Sequence, residues 1–278
     1  MPVRVVESRD NARLKALRRA LAAPGSGTTG LVAVEGPHLI DEALRAGVSL
    51  KTVFVAGSGK RVLDGLIIPP ETEILCLPAP LLAAALTTET PQPMAALVEP
   101  PNWNWTHILA SGPKAAALLV VLAGLQDPGN LGAILRSAEA FGATGVVSLP
   151  GTVSAWNPKV VRASAGSVFR VPLVAAGERE CVDKLHQAGV RILATSVRLA
   201  QPAGQVNLAE PVALIIGNEG KGVPAQLAAR SDAAVTIPCP GPVESLNAAV
   251  AASILLYEAS RQRTGSDRRP ATRPGARR

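Results

Sequence analysis

The chain has 278 residues, 47 % hydrophobic and only 3 % aromatic, with a formal net charge of +7. That length buries a real core in one long domain or two ordinary ones, and the composition is far from that of a disordered chain. The longest apolar run, 115–125, is too short to cross a bilayer, and Arg4, Glu7, Arg9 and Asp10 stand where a signal peptide needs apolar residues, so a cytoplasmic protein without membrane anchorage is expected.

Asp10 is placed to cap a helix over 11–22, with Leu14, Leu17 and Leu21 on one face and Arg13, Lys15 and Arg18 around it; Pro24-Gly25-Ser26-Gly27 ends it. Strands at 31–35, 51–56, 72–77 and 94–98, with helices over 37–46 and near 80–86, complete a small α/β unit spanning 1–100. Residues 101–114, with Trp103, Trp105 and Gly112-Pro113, read as a linker. Its tryptophans either stack on RNA bases or pin the linker to a domain, and the usual burial of Trp favours pinning. From 115 the rhythm restarts, with strands at 118–124, 145–149, 191–196, 212–216 and 234–237 and helices over 130–141, 178–188, 224–230 and 245–263. Strands separated by crossover helices predict an α/β domain over 115–263 built on a mostly parallel, doubly covered sheet. The remainder, 264–278, reads as a disordered basic tail.

The positive charge is concentrated at the ends. Residues 1–20 carry six basic against two acidic side chains, and 264–278 carry five arginines against Asp267, while the body between is close to neutral. Such ends suit a phosphate-backbone partner held without base reading; a solubilising tail is the plainer alternative. Cys76, Cys181, Cys239 and the three histidines are scattered without ligand or disulfide spacing, so neither a metal nor a Cys–His nucleophile is expected.

Three segments carry chemistry. In Gln126-Asp127-Pro128-Gly129-Asn130, a buried strand ends in a turn and Asn130 is placed to cap the next helix. On that helix Leu131, Ile134, Leu135 and Ala138 share a face, and Arg136 projects outward at the carboxyl end of a strand, where α/β sheets place ligands. In Gly217-Asn218-Glu219-Gly220-Lys221-Gly222, three glycines let backbone approach a ligand, although a tight turn explains them equally. The spacing is wrong for a phosphate-binding P-loop, and Gly222 stands where a magnesium-holding Ser or Thr is needed. In Ile237-Pro238-Cys239-Pro240-Gly241, a strand runs into a stiffened loop that returns through Ser245-Leu246-Asn247 to a helix, with Ser245 as cap. That helix is apolar almost all round, so it is covered either by the core or by a second subunit.

Together the three segments resemble the SpoU/TrmH family of RNA ribose methyltransferases, in the SPOUT superfamily: an Asn followed six residues later by Arg, then Gly-x-Glu-Gly-x-Gly after a strand, then Ile-Pro…Ser-Leu-Asn opening the last helix. The likeness covers about 118–261, and Asn157-Pro158-Lys159…Arg162-Ala163-Ser164-Ala165-Gly166 resembles the family's stretch between its first two motifs. Residues 8–99, with Asn11, Lys15 and Glu35-Gly36, resemble the ribosomal-protein-like substrate-binding domain that many members carry in front. Cys239 departs from the usual Met, and Ala248-Ala249 replaces the frequent pair after Asn247.

The resemblance implies a deep trefoil knot in the C-terminal domain, a homodimer through that domain, and S-adenosylmethionine as cofactor. It would be held on backbone at Thr195, Ser196, Gly217, Asn218, Gly220, Ile237, Pro238 and Leu246. Catalytic roles are implied for Arg136, Asn130, Glu219, Ser245 and Asn247, and RNA contacts for Arg13, Lys15, Arg18 and Arg162. Methyl transfer to a ribose 2′-hydroxyl follows, with 23S ribosomal RNA favoured over tRNA because of the front domain. A non-catalytic RNA-binding or ribosome-assembly protein is the alternative from another class, but it would not need Arg136, Glu219 and Asn247. A dinucleotide-binding dehydrogenase shares the α/β pattern but lacks Gly-x-Gly-x-x-Gly after its first strand.

Overall fold

The computed structural model describes residues 3–23, 30–109, 116–197 and 200–266. The Pro24–Gly27 turn, 110–115 of the expected linker and 267–278 of the expected tail therefore lie outside the described residues. Two compact units emerge: Met1–Asn104 with Leu125–Arg136 and Gly151–Leu173, and Trp105–Gly124 with Ser137–Pro150 and Val174–Arg278. The two expected domains are contiguous; the observed units interleave.

The amino-terminal elements are β1 (Val3–Val5), α1 (Ala12–Ala22), β2 (Val32–Glu35), α2 (Pro37–Arg45), β3 (Leu50–Ala56), α3 (Gly59–Leu63), β4 (Glu73–Leu77), α4 (Ala79–Ala83) and β5 (Met94–Val98). Their sheet runs β1-β4-β3-β5-β2, with β5 antiparallel to both neighbours and the other pairs parallel. Leu14, Leu17 and Leu21 of α1 pack with Phe54, Leu75 and Leu97 in its core, as the helical spacing requires. The cap of α1 is Asn11, not Asp10. Its Oδ1 accepts from the Arg13 and Leu14 amides at 2.9 and 3.2 Å, whereas the Asp10 carboxylate pairs with Lys15 Nζ at 2.8 Å.

The chain continues as α5 (Trp105–Leu109), β6 (Leu118–Ala123), α6 (Pro128–Ala140), β7 (Gly145–Ser148), α7 (Pro158–Ser164), β8 (Leu173–Ala175), α8 (Glu178–Gln187), β9 (Arg191–Thr195), β10 (Gln201–Pro202), β11 (Val212–Gly217), α9 (Ala225–Ala228), β12 (Ala233–Thr236) and α10 (Ala248–Ser266). The second sheet runs β10-β12-β9-β11-β6-β7-β8, and its registered pairs are all parallel. All six residues of β11 and of β6 are buried, which is why both read as unbroken apolar runs and not as alternating strands.

Two details go beyond the expected boundaries. Residues 105–109, within the expected linker, form a helix: Ile108 is fully buried and Trp105 Nε1 donates to Glu180 at 2.8 Å, so this tryptophan is a pin, the favoured of the two readings. The last helix reaches Ser266, three residues into the expected tail.

Candidate active site

In the second unit, parallel register brings four strand ends to one edge. Gly217 pairs with Ala123, Ile215 with Ala194, and Thr195 with Val235, so the residues after β6, β9, β11 and β12 leave on the same side. This is the carboxyl edge at which open α/β sheets bind ligands.

The β11 turn is held by its own Asn218. Its Oδ1 accepts from the Gly220 and Lys221 amides at 3.0 and 3.1 Å, and its Nδ2 donates to the Gly124 carbonyl at 2.8 Å, tying the turn to the end of β6. Asn218 and Gly222 exchange backbone bonds of 3.0 and 2.8 Å, which fold the turn back on itself. Gly217 is obligatory: a Cβ there would stand 2.1 Å from the Gly222 carbonyl carbon and 2.3 Å from the Val223 nitrogen. Gly124 and Gly222 have positive φ (74° and 69°), and neither Cβ position has a heavy atom within 4 Å. Main chain at this edge is thus open to a ligand. Glu219, Gly220 and Lys221 are exposed.

Beside it, Thr195 turns its hydroxyl back onto the Ile215 carbonyl at 2.8 Å, and the Ser196 amide donates to Val235 at 3.0 Å. What they offer a ligand at the edge is chiefly backbone shape. Ile237 and Leu246 are half-buried, while Pro238 and Ser245 are exposed. Ser245 does not cap α10. Asn247 does, accepting through Oδ1 from the Ala249 and Val250 amides at 2.9 and 3.2 Å. Asx caps bond two and three residues ahead, and helix α10 starts only at Ala248.

In the first unit, the turn after β6 belongs to Asp127. Its Oδ1 accepts from the Asn130 amide at 2.7 Å and its carbonyl from Leu131 at 3.2 Å, with Pro128 opening α6. Asn130 is thereby a first-turn residue and not the cap; Asp followed by Pro at the first helical position was the signal for this. Leu131, Ile134, Leu135 and Ala138 are fully buried and Arg136 is exposed, as helical spacing demands. Arg162 lies exposed in the last turn of α7. Of the other RNA candidates, Arg13 Nε bonds Glu73 at 3.0 Å, Lys15 pairs with Asp10, and Arg18 donates to the Arg9 carbonyl at 3.2 Å.

Sequence reading missed Arg263. Its guanidinium donates to the carbonyls of Leu208 (3.0 Å), Ala117 (3.0 Å), Glu210 (2.8 Å) and Ala116, closing α10 onto the start of β6. Burial lowers its pKa. Burial also pushes the Cys181 thiol up to about 12, leaving it an inert core residue. Among the described residues no group of three or more His, Cys, Asp or Glu is placed to hold a metal ion, and no helix is long and apolar enough to cross a membrane.

A parallel sheet with open glycine main chain at its carboxyl edge defines an α/β protein of the class that takes its ligands at that edge. The chain belongs to the SpoU rRNA methylase family, which residues 117–257 match. It is 35 % identical over 254 residues to the 23S rRNA (guanosine(2553)-2′-O)-methyltransferase RlmP of Bacillus subtilis (strain 168), covering 91 % of this chain and 97 % of that protein. Among solved structures it resembles the SpoU methyltransferase AviRb of Streptomyces viridochromogenes in complex with AdoMet, with a TM-score of 0.79, 30 % identity, and coverage of 91 % of this chain and 98 % of that one. It also resembles an AdoMet-bound rRNA methyltransferase of Sinorhizobium meliloti, with a TM-score of 0.81, 29 % identity, and 93 % and 98 % covered.

Proposed function

We propose that this chain transfers the methyl group of S-adenosylmethionine to a ribose 2′-hydroxyl of 23S ribosomal RNA. The observation that carries the reading is the shared carboxyl edge at which Gly124, Thr195, Gly217–Gly222 and the residues after β12 emerge together. The residues fit the cofactor, because main chain at Gly124 and Gly222 has open space where side chains would stand. Thr195, Ser196, Gly217, Asn218, Gly220, Ile237, Pro238 and Leu246 would hold it, Asn218 by fixing the turn and the others largely through backbone. When bound, the cofactor supplies a methyl group on a sulfonium, already activated for displacement.

The protein's task is then positional: a hydroxyl aligned with that methyl, and electrostatic control of the sugar-phosphate. Arg136 is assigned to hold an RNA phosphate and the 2′-hydroxyl. A guanidinium stays protonated at neutral pH, so it orients the hydroxyl and does not take its proton. Asn130 and Asn247 orient the ribose or Arg136, and Asn247 does so from its cap position. Glu219 and Ser245, both exposed, are assigned to the turn and the substrate. Arg13, Lys15, Arg18 and Arg162 are assigned to RNA phosphates; Arg13 and Lys15 exchange their present carboxylate partners for phosphate.

Three structural readings accompany this. The first unit's sheet is proposed as the ribosomal-protein-like RNA-binding domain, with the methyltransferase domain at 115–263. The second sheet is proposed to be tied into a trefoil knot, supported by a strand order far from chain order. A homodimer through α10 is proposed because Val250, Ile254 and Tyr257 are 46, 38 and 55 % exposed on that helix. A cytoplasmic location follows from the ribosomal substrate.

The test is transfer of radioactive methyl from S-adenosylmethionine to 23S rRNA and tRNA transcripts. Arg136→Ala is expected to keep cofactor affinity and lose transfer by roughly 100-fold or more. Transfer by the variant at the wild-type rate refutes the assignment, and binding of RNA without any transfer by the wild type favours the ribosome-assembly reading.

A further inference from the structure

Arg136 lies four residues after Gly132 on α6, one turn further along the same side. Gly132 is buried, and a Cβ on it would stand 2.4 Å from Ala163 Cβ, 2.8 Å from the Ala163 carbonyl carbon and 2.9 Å from the Ser164 nitrogen. The helix bearing Arg136 therefore lies directly on the carboxyl end of α7, with no side chain larger than the Ala163 methyl between the two at Gly132.

Helix α7 is fixed in turn. It ends on Ala165 in the left-handed region (φ 48°) and continues through Gly166 (φ 94°), where a Cβ would stand 2.7 Å from Glu42 Cβ. Glu42 belongs to α2 of the amino-terminal sheet, and its Oε2 accepts from Arg170 Nη1 at 2.6 Å. The Glu42 side chain is 15 % exposed and that of Arg170 34 %, so water screens the pair only in part. Helix α7 also packs against β2. Glu42, Gly132, Arg136, α7 and Arg170 all fall within the first compact unit.

We propose that Glu42 and Arg170 are positioning residues for methyl transfer. Their ion pair ties the segment that follows α7 to α2, beside the close approach of Gly166 to Glu42, and so holds the end of α7 in place; α7, through Gly132, fixes where α6 presents Arg136. RNA gripped by the amino-terminal sheet is thereby held at a set distance from the guanidinium that orients its ribose. The inference rests on the role given to Arg136 above. It assigns a function to the front domain beyond affinity: it is the ruler against which the catalytic side chain is set. A displacement of about 1 Å costs on the order of 100-fold in rate, so a loosened strut is read in kcat.

The experiment uses the full chain, with Arg170→Ala, Arg170→Lys and Glu42→Gln. Single-turnover methyl transfer to a 23S rRNA transcript is measured beside S-adenosylmethionine affinity, RNA affinity and the urea midpoint. Arg170→Ala and Glu42→Gln are expected to lose roughly 10-fold or more in transfer rate, with cofactor affinity unchanged within about 2-fold. Arg170→Lys, which keeps the charge, is expected to recover much of that rate. Wild-type rates in folded Arg170→Ala and Glu42→Gln overturn the proposal. So does a loss that tracks the urea midpoint and is not rescued by Arg170→Lys, which marks the pair as merely structural. If Arg170→Ala does not fold, Glu42→Gln, which keeps the side-chain shape, decides by the same criteria. Arg136→Ala serves as control: full transfer by it removes the role given to Arg136, on which the strut rests, whereas an inactive Arg136→Ala beside fully active strut variants removes only the strut.

Discussion

Replacing Gly217 by Ala adds one carbon where there is no room for it. The new Cβ would lie 2.1 Å from the Gly222 carbonyl carbon and 2.3 Å from the Val223 nitrogen, and ordinary contact begins at 3.4 Å. The turn must therefore withdraw by more than about 1 Å, and β11, buried on both faces, has nowhere to move instead. Withdrawal breaks the paired Asn218–Gly222 backbone bonds and pulls Asn218 Nδ2 from Gly124. Overpacking costs about 1–3 kcal/mol and each lost hydrogen bond about 1 kcal/mol. If the strain stays in the turn, that sum appears as weaker cofactor binding, by about 10-fold for each 1.4 kcal/mol. Isothermal titration with S-adenosylmethionine and urea unfolding measure the two destinations of the strain. A variant matching the wild type in both affinity and urea midpoint refutes the claim that this turn is sterically fixed and holds the cofactor.

Arg263→Ala removes a cation from four backbone carbonyls and is expected to destabilise the protein by about 3 kcal/mol, seen as a urea midpoint lower by roughly 1 M. A midpoint unchanged within error means the clamp carries no net stability. Under the proposed dimer through α10, the wild type is expected to sediment as a dimer and Ile254→Glu, which places a charge in the exposed apolar stripe, as a monomer; a monomeric wild type removes the proposed dimer, and a dimeric variant places its interface elsewhere.

Legibility in the sequence followed the range of the forces involved. Strands β6 and β11 were visible because burial on both faces leaves uninterrupted apolar runs, and α1 and α6 because one buried face recurs at helical spacing. Each of their ends fell within a residue or two. The caps were misplaced by one to three positions in three cases, at Asn11, Asp127 and Asn247, because an Asn or Asp and its polar neighbours compete for the cap and only backbone geometry decides. Helix α7 was not read as a helix, although its stretch was singled out by likeness: seven residues opened by a proline are too short for a period to show. The clamp at Arg263 and the pair Glu42–Arg170 span 147 and 128 residues, and no local pattern encodes a partner at that distance. The tight turn was legible where glycine marked it, and contacts were illegible where a charged side chain met distant backbone.

The β11 turn directs its own side-chain amide inward and leaves glycine main chain toward the edge. A surface made of peptide groups has a shape but almost no vocabulary: exchanging Lys221 or Val223 alters its outskirts without altering what it displays. Drift at those two positions is accordingly cheap. A change of ligand preference, by contrast, requires a new bend of the chain, which the void-free seat of Gly217 forbids in a single mutational step.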